Sequence, residues 1–298
     1  MKQEEIEKIL RAGEIEKQVK EYAKSFIKKD ISLLEIAEKI EDKIIKLGGK
    51  PAFPTNLSIN EIAAHYTPSY NDETKAYGLL KVDLGVQVDG FIADSAFSID
   101  LEDDEENKKL IKASQEALNN ATKFVIENKS LGEIGEIIQE TINSFGFSPI
   151  TNLTGHEIKE YELHSGLTIF NIKNNNKEKL NNGLYAIEPF VTKGIGKIYE
   201  GKLSEIYILQ DDKNIRSNDA REILNYIIKE YKTLPFCSRW IVKKFGVKSL
   251  FYLKQLEKNG NLYNYPELIE ESHQKVSQSE NTILVYEKEN KRNVFITT

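Results

Sequence analysis

The stretch Lys81–Asp100 constrains this chain more than any other. Apolar and polar residues alternate on both sides of Asp89-Gly90, the dipeptide preferred in two-residue hairpin turns because both central positions need positive φ. With that turn, Val88 faces Phe91, Gly85 faces Asp94 and Asp83 faces Ala96. Side chains alternate faces along a strand, so Asp83 and Asp94 share one face as diagonal neighbours, with backbones roughly 7 to 8 Å apart. Their carboxylates can converge on one ion, and Gly85 opposite Asp94 leaves space beside them. A β-bulge would alter this register. A plainer reading is also open, in which Val82, Leu84, Val86 and Val88 face a core while Lys81, Asp83 and Gln87 face water. Against it, Ile92 and Ala96 lie on the same face as the two aspartates.

Two helices precede the hairpin. From Glu5 to Lys28, apolar residues from Ile6 to Phe26 recur at helical spacing. A second helix begins at Ser32, where Ser32 and Glu35 form a capping box, and runs to Gly48-Gly49. Helical periodicity returns from about Asp104 to Asn128, and Ser130 with Glu133 makes another capping box ahead of Ile134, Ile138 and Ile142. Extended segments follow at Leu184–Thr192 and Ile198–Leu209, and a last pair at Thr282–Tyr286 and Asn293–Thr298. Between these, 217–260 reads as helix and turn rich in aromatic and basic residues. This predicts a helical subdomain, 211–273, inserted into a main domain made of 1–210 and 274–298.

Composition narrows the function classes. A chain of 298 residues with 40% hydrophobic and 30% charged content can bury a full-sized core. A net charge of -6 without a basic stripe argues against DNA or RNA as the main partner. The single cysteine, Cys237, rules out an internal disulfide and a thiolate-rich metal site, and points to a reducing cytoplasm. No apolar segment suits a signal peptide or a membrane span.

Further polar groups stand where they need partners. Asn152-Leu153-Thr154-Gly155-His156 is a turn-rich segment delivering an imidazole, and His164 follows eight positions later. Glu188, before Pro189, sits in an apolar strand where a lone acid is costly unless paired or metal-bound. Glu280 stands at the mouth of the apolar strand Thr282–Val285, with Glu287 and Glu289 as weaker alternatives. Each alone admits a plainer reading as a surface or packed residue. Together, two aspartates, two glutamates and a histidine repel: at about 4 Å and an effective dielectric near 20, each carboxylate pair costs roughly 4 kcal/mol. Two divalent ions would balance four carboxylates, and oxygen-rich ligation with one imidazole suits Mn(II), Fe(II), Co(II) or Zn(II).

The ordered set Asp83, Asp94, His156, Glu188, Glu280 resembles the five metal ligands of the creatinase-like, or pita-bread, metallopeptidases. Ala52-Phe53-Pro54-Thr55-Asn56-Leu57-Ser58-Ile59-Asn60 leading to Ala63-Ala64-His65-Tyr66-Thr67-Pro68 looks like the signature of the type 2 methionine aminopeptidases. So do Val82-Asp83-Leu84-Gly85, Ile92-Ala93-Asp94-Ser95-Ala96-Phe97 and Leu153-Thr154-Gly155-His156, and the gap between Glu188 and Glu280 has room for the insertion that marks type 2. The resemblance implies an α+β fold, a curved, mostly antiparallel sheet covered by helices. It implies that Asp83 chelates one metal, that His156 and Glu188 bind the other, and that Asp94 and Glu280 bridge both. His65 and His164 would flank the substrate, Phe53 would line the methionine pocket, and Glu188 would shuttle a proton. The substrates would be the N-termini of nascent polypeptides with a small second residue, and the protein a monomer. Two departures from the family stand out, the charged Glu157 and Lys159-Glu160 after His156 and the run Ser279-Glu280-Asn281.

Two rivals share the fold. Proline dipeptidases usually carry an extra N-terminal domain, for which Asp83 lies too early. Metal-free pita-bread proteins that bind RNA, histones or ribosomes typically lose ligands that this chain retains. Lys243, Lys244 and Lys248 in the insertion are read as a solvated basic face, with ribosomal contact as the alternative.

Overall fold

The computed structural model describes residues 1–289 and 291–298. The chain opens with two helices, α1 (Gln3–Phe26) and α2 (Leu33–Lys46), whose apolar stripes form one core with the first sheet. Ser32 caps α2 by accepting from the Glu35 amide, the one arm of the expected box that forms. Three short strands, β1 (Lys50–Pro51), β2 (Asn56–Ile59) and β3 (Ile62–Ala64), lead to the hairpin β4 (Leu79–Val88) and β5 (Phe91–Asp100). Asp89 and Gly90 take φ of 51° and 89°, as its tight turn requires. The pairing runs without a bulge, with Gly85 opposite Asp94 and Asp83 opposite Ala96, as the alternation predicts.

Val82, Leu84 and Val86 pack under α1 and α2. The opposite face is not open to water, however: Lys81 is 1% exposed, and its ammonium donates to the main-chain oxygens of Asn60 (2.8 Å) and Val276 (2.9 Å). The solvated reading of that face therefore fails.

The second half repeats the plan of two helices over a sheet. Helices α3 (Glu105–Ile126) and α4 (Leu131–Ser144) bury Leu110, Ala117, Ile134 and Ile138 against Tyr185, Ile187, Ile283 and Val285. Ser130 and Glu133 complete a capping box at α4. The strands are β6 (Ser148–Pro149), β7 (Thr154–Lys159), β8 (Glu162–Phe170), β9 (Gly183–Ile187), β10 (Phe190–Thr192) and β11 (Ile198–Leu209). His156 thus lies on a strand and not in a turn. Gly155 accounts for the difference, because a Cβ there would stand 2.3 Å from the Ala186 carbonyl oxygen; glycine lets two strands approach closely.

Next come α5 (Asn218–Glu230), β12 (Phe236–Cys237), α6 (Ser238–Phe245) and α7 (Ser249–Lys258). They build a core of their own from Ile223, Leu224, Ile227, Phe236, Ile241 and Leu253. Strand β13 (Leu262–Glu270), which the sequence reading leaves unassigned, pairs with β11 and β3. The chain finishes with β14 (Val276–Gln278), β15 (Asn281–Lys288) and β16 (Lys291–Ile296).

Among the described residues all strand pairs are antiparallel, and β9 lies at the centre of the order β16-β15-β9-β7-β8, flanked by β15 and β7. Main-chain and hydroxyl bonds stitch this sheet to the hairpin: the Asp94 amide donates to Thr282 Oγ1 at 2.8 Å, and the Glu280 amide to the Ala96 carbonyl at 2.9 Å. These bonds bring the polar face of the hairpin to the ends of β9 and β14. This is the curved, helix-covered pita-bread architecture, and among the described residues no helix is long and apolar enough to cross a membrane.

Candidate metal centre

A cavity of about 420 Å³ opens where the two halves meet, and its walls include all eight residues singled out in the sequence: Phe53, His65, Asp83, Asp94, His156, His164, Glu188 and Glu280. They arrive on different elements. Asp83 and Asp94 come from the hairpin, His156 and His164 from β7 and β8, Glu188 from the link between β9 and β10, and Glu280 from the link between β14 and β15. Donor atoms of Asp94, His156 and Glu280 all lie within 4.8 Å of one another. Glu287, by contrast, sits far along β15, opposite Arg292, and Glu289 lies beyond that strand.

The imidazole of His156 defines the centre. Its Nδ1 lies 3.4 Å from the Glu157 carbonyl, which can only accept, so the ring proton belongs on that nitrogen. The unprotonated Nε2 then looks toward Asp94 Oδ2 at 3.7 Å and Glu188 Oε1 at 3.6 Å. Three lone-pair atoms facing each other repel unless a cation sits among them. Burial and the neighbouring His164 hold His156 down to about 3, so the ring does not supply that charge itself.

The carboxylates tell the same story. Asp83 Oδ1, Asp94 Oδ1 and Glu280 Oε1 are buried with no hydrogen-bond partner. Burial pushes the Asp83 carboxyl up to about 7. Burial, then the charges of Asp83 and Glu188, raises Asp94 well above the carboxylate range; burial followed by Asp94, Glu188 and Asp83 does the same to Glu280. Burial and Asp83 raise Glu188. Buried acids that lift one another in this way form a cation site or stay protonated. Orphaned oxygens, the Nε2 geometry and the oxygen-rich donor set all fit divalent ions.

Around this centre, His65 stands at φ 67°, a left-handed conformation that a histidine adopts only when its surroundings impose it. Its Nδ1 lies 3.2 Å from the Pro266 carbonyl and its ring edge against Tyr265, with centroids 5.4 Å apart. Burial and His164 lower it to about 4, so the ring is neutral at pH 7. His164, open to solvent, sets its ring edge-on to that of His156 at 4.4 Å. Phe53 fills the space left by Gly85, where a Cβ would meet the phenyl ring at 2.3 Å. The gap inferred opposite Asp94 is therefore occupied by the aromatic wall of the cavity.

Sequence reasoning missed Gln278, beside Glu280, and several residues of the cavity wall. Gln278 is 1% exposed and its amide donates to Glu280 Oε2 at 3.4 Å. Its position two residues before Glu280 was the one available signal. Ile206, Tyr265 and Leu268 lie on β11 and β13, and Asn56 on β2; all line the cavity. Nothing local in the sequence marks them, because only long-range pairing brings them there.

Comparison with known proteins agrees with this geometry. Residues 7–229 match Metallopeptidase family M24. The chain is 44% identical over 290 residues to the methionine aminopeptidase of Methanocaldococcus jannaschii, an alignment covering 96% of this chain and 97% of that one. Among solved structures, a thermophilic Arx1 superposes with a TM-score of 0.83 at 16% identity, covering 100% of this chain and 91% of its own. A methionine aminopeptidase from Rickettsia prowazekii superposes at 0.72 and 18% identity, covering 100% and 98%. The two superpositions establish the fold, and the high-identity match over nearly the whole length narrows it to one branch. The chain belongs to metallopeptidase family M24 and, within it, to the methionine aminopeptidases.

Proposed function

We propose that the protein hydrolyses the first peptide bond of nascent polypeptides, releasing the initiator methionine when the second residue is small. The observation that carries this reading is the Nε2 of His156 directed at Asp94 and Glu188 in a cavity whose wall includes Phe53, a donor set suited to cations beside an aromatic wall. Two divalent ions, drawn from Mn(II), Fe(II), Co(II) or Zn(II), fit the donor set. In this assignment Asp83 would hold one, His156 and Glu188 would hold the other, and Asp94 and Glu280 would serve both.

Such ions, when bound, lower the pKa of a bound water from about 15.7 toward 7. The remaining chemistry falls to side chains. Glu188 takes up a proton at its carboxylate and delivers it to the leaving amine. A neutral His65, protonated on Nδ1 by its bond to Pro266, offers its other nitrogen as an acceptor for a substrate N–H. His164, at the mouth, orients the scissile group, and Phe53 lines the methionine side-chain pocket. In this reading 1–210 and 274–298 make the catalytic domain, with 211–273 inserted; the protein acts as a monomer in the cytoplasm, and Lys243, Lys244 and Lys248 form a solvated face, ribosomal contact being the alternative.

The test is a metal-stripped preparation titrated with Mn(II), Fe(II) and Co(II), assayed on Met-Ala-Ser and on proline-containing dipeptides. Methionine release that depends on metal is expected. Cleavage of the proline dipeptides alone would overturn the assignment.

A further inference from the structure

Asn56 on β2 pairs directly with Asp83 on β4, so the two side chains stand next to each other on the cavity face of the sheet. Asn56 is 5% exposed. Its Nδ2 donates to the Pro54 carbonyl at 2.8 Å, which fixes the plane of the amide, while its Oδ1 is buried and has no partner. Asp83 Oδ1 is likewise without a partner. Two acceptors side by side cannot satisfy each other; only a donor or a cation between them can. A buried carbonyl oxygen left unpaired is costly, so its occurrence on the wall of a cavity points to a donor that arrives with the ligand.

Resting on the reading of this cavity as an aminopeptidase centre, we infer that Asn56 Oδ1 accepts a hydrogen bond from the free α-amino group of the substrate. The amine carries several N–H donors, enough to meet Asn56 and an acidic neighbour together. Phe53 lies three residues before Asn56 in the same segment, so one stretch of chain reads both the amine and the side chain of the terminal residue. An internal peptide nitrogen carries a single N–H and cannot meet Asn56 and an acidic neighbour together. Asn56 thereby contributes to the restriction of cleavage to the first residue.

The test uses the intact Mn(II)-loaded protein and calorimetric titration with L-methionine and with 4-(methylthio)butanoate, the same molecule lacking the amine. Asn56→Leu keeps the side-chain volume and removes the acceptor; Asn56→Ser keeps a polar group but withdraws it from the cavity, and whichever variant folds decides the matter. Methionine binding weakened tenfold or more, with the amine-free analogue within twofold of its native affinity, is the expected result. Equal weakening of both ligands, or no weakening of either, overturns the inference. Failure of the aminopeptidase reading would show separately, as absence of methionine release from Met-Ala-Ser by the native protein.

Discussion

Glu41 on α2 and Arg239 on α6 form an ion pair of 2.6 Å with both side chains buried. The other oxygen of Glu41 accepts from the Trp240 indole at 2.8 Å, and the Thr55 amide donates to the shared oxygen at 3.3 Å. One carboxylate thus ties the helical region to the segment that carries Phe53 and Asn56. Removing it strands a buried guanidinium. Glu41→Ala is expected to lower unfolding free energy by about 3 to 5 kcal/mol and to raise KM for Met-Ala-Ser, as measured by urea denaturation and steady-state kinetics. A loss below about 1 kcal/mol would mean that water, not protein, compensates Arg239.

His65 gives a test that separates chemistry from metal binding. It lines the cavity without joining the group of Asp94, His156 and Glu280. His65→Ala should lower kcat by about a hundredfold or more while Mn(II) stoichiometry stays as in the native protein. Because burial holds this imidazole at about 4, it adds no ionisation between pH 6 and 9. The ratio of native to variant kcat should therefore be flat over that range. Unchanged turnover would remove His65 from the mechanism.

The acid cluster makes stability and metal affinity depend on pH in opposite senses. Asp83 ionises near its ordinary 3.8 in the unfolded chain and at about 7 in the metal-free fold. The folded state therefore holds the extra proton between these values, and the associated stability, complete below pH 3.8, is lost as pH rises through about 7. In metal-free protein, Asp83→Asn, which has no charge to acquire, should gain in melting temperature over the native chain between pH 5 and pH 8. Saturating Mn(II) should reverse that ranking at pH 8, since the ion replaces the proton and stabilises only the liganded fold. Melting curves at both pH values, with and without Mn(II), read this directly; a ranking indifferent to pH and metal sinks it.

Local signals in the sequence carried as far as each element's own chemistry reaches. The Asp89-Gly90 turn set the register of ten facing residue pairs in β4–β5, and with it the shared face of Asp83 and Asp94. Ser130 and Glu133 placed the start of α4. Long-range pairing was beyond reach: β13 carries Tyr265 and Leu268 to the cavity only because it pairs with β11 and β3, and Asn56 meets Asp83 only through the β2–β4 register. The plainer reading of Lys81 as water-facing fails for a related reason. Alternation marks the face on which a residue lies, but not whether another strand covers that face, and here the Val276 carbonyl does. The left-handed φ of His65 has no local sequence mark either, because it is tertiary packing that imposes it.

Gly85 supplies the most discriminating substitution. Its lack of a side chain is what admits the Phe53 ring, whose nearest atom would be 2.3 Å from an added Cβ. The backbone at Gly85 is extended and pairs with Asp94, so a β-branched residue suits the strand and leaves the ladder intact. Gly85→Val should thus displace Phe53 while keeping Asp83 and Asp94 in register. The expected pattern is native Mn(II) binding, a roughly tenfold rise in KM for Met-Ala-Ser and a smaller fall in kcat, the signature of a lost binding contact rather than lost chemistry. Shrinking the ring should relieve the clash, so Gly85→Val combined with Phe53→Leu is expected to lose less than the sum of the two single changes. Strict additivity in that cycle would show that the two residues do not share the space, and that Phe53 takes its place on the cavity wall for some other reason.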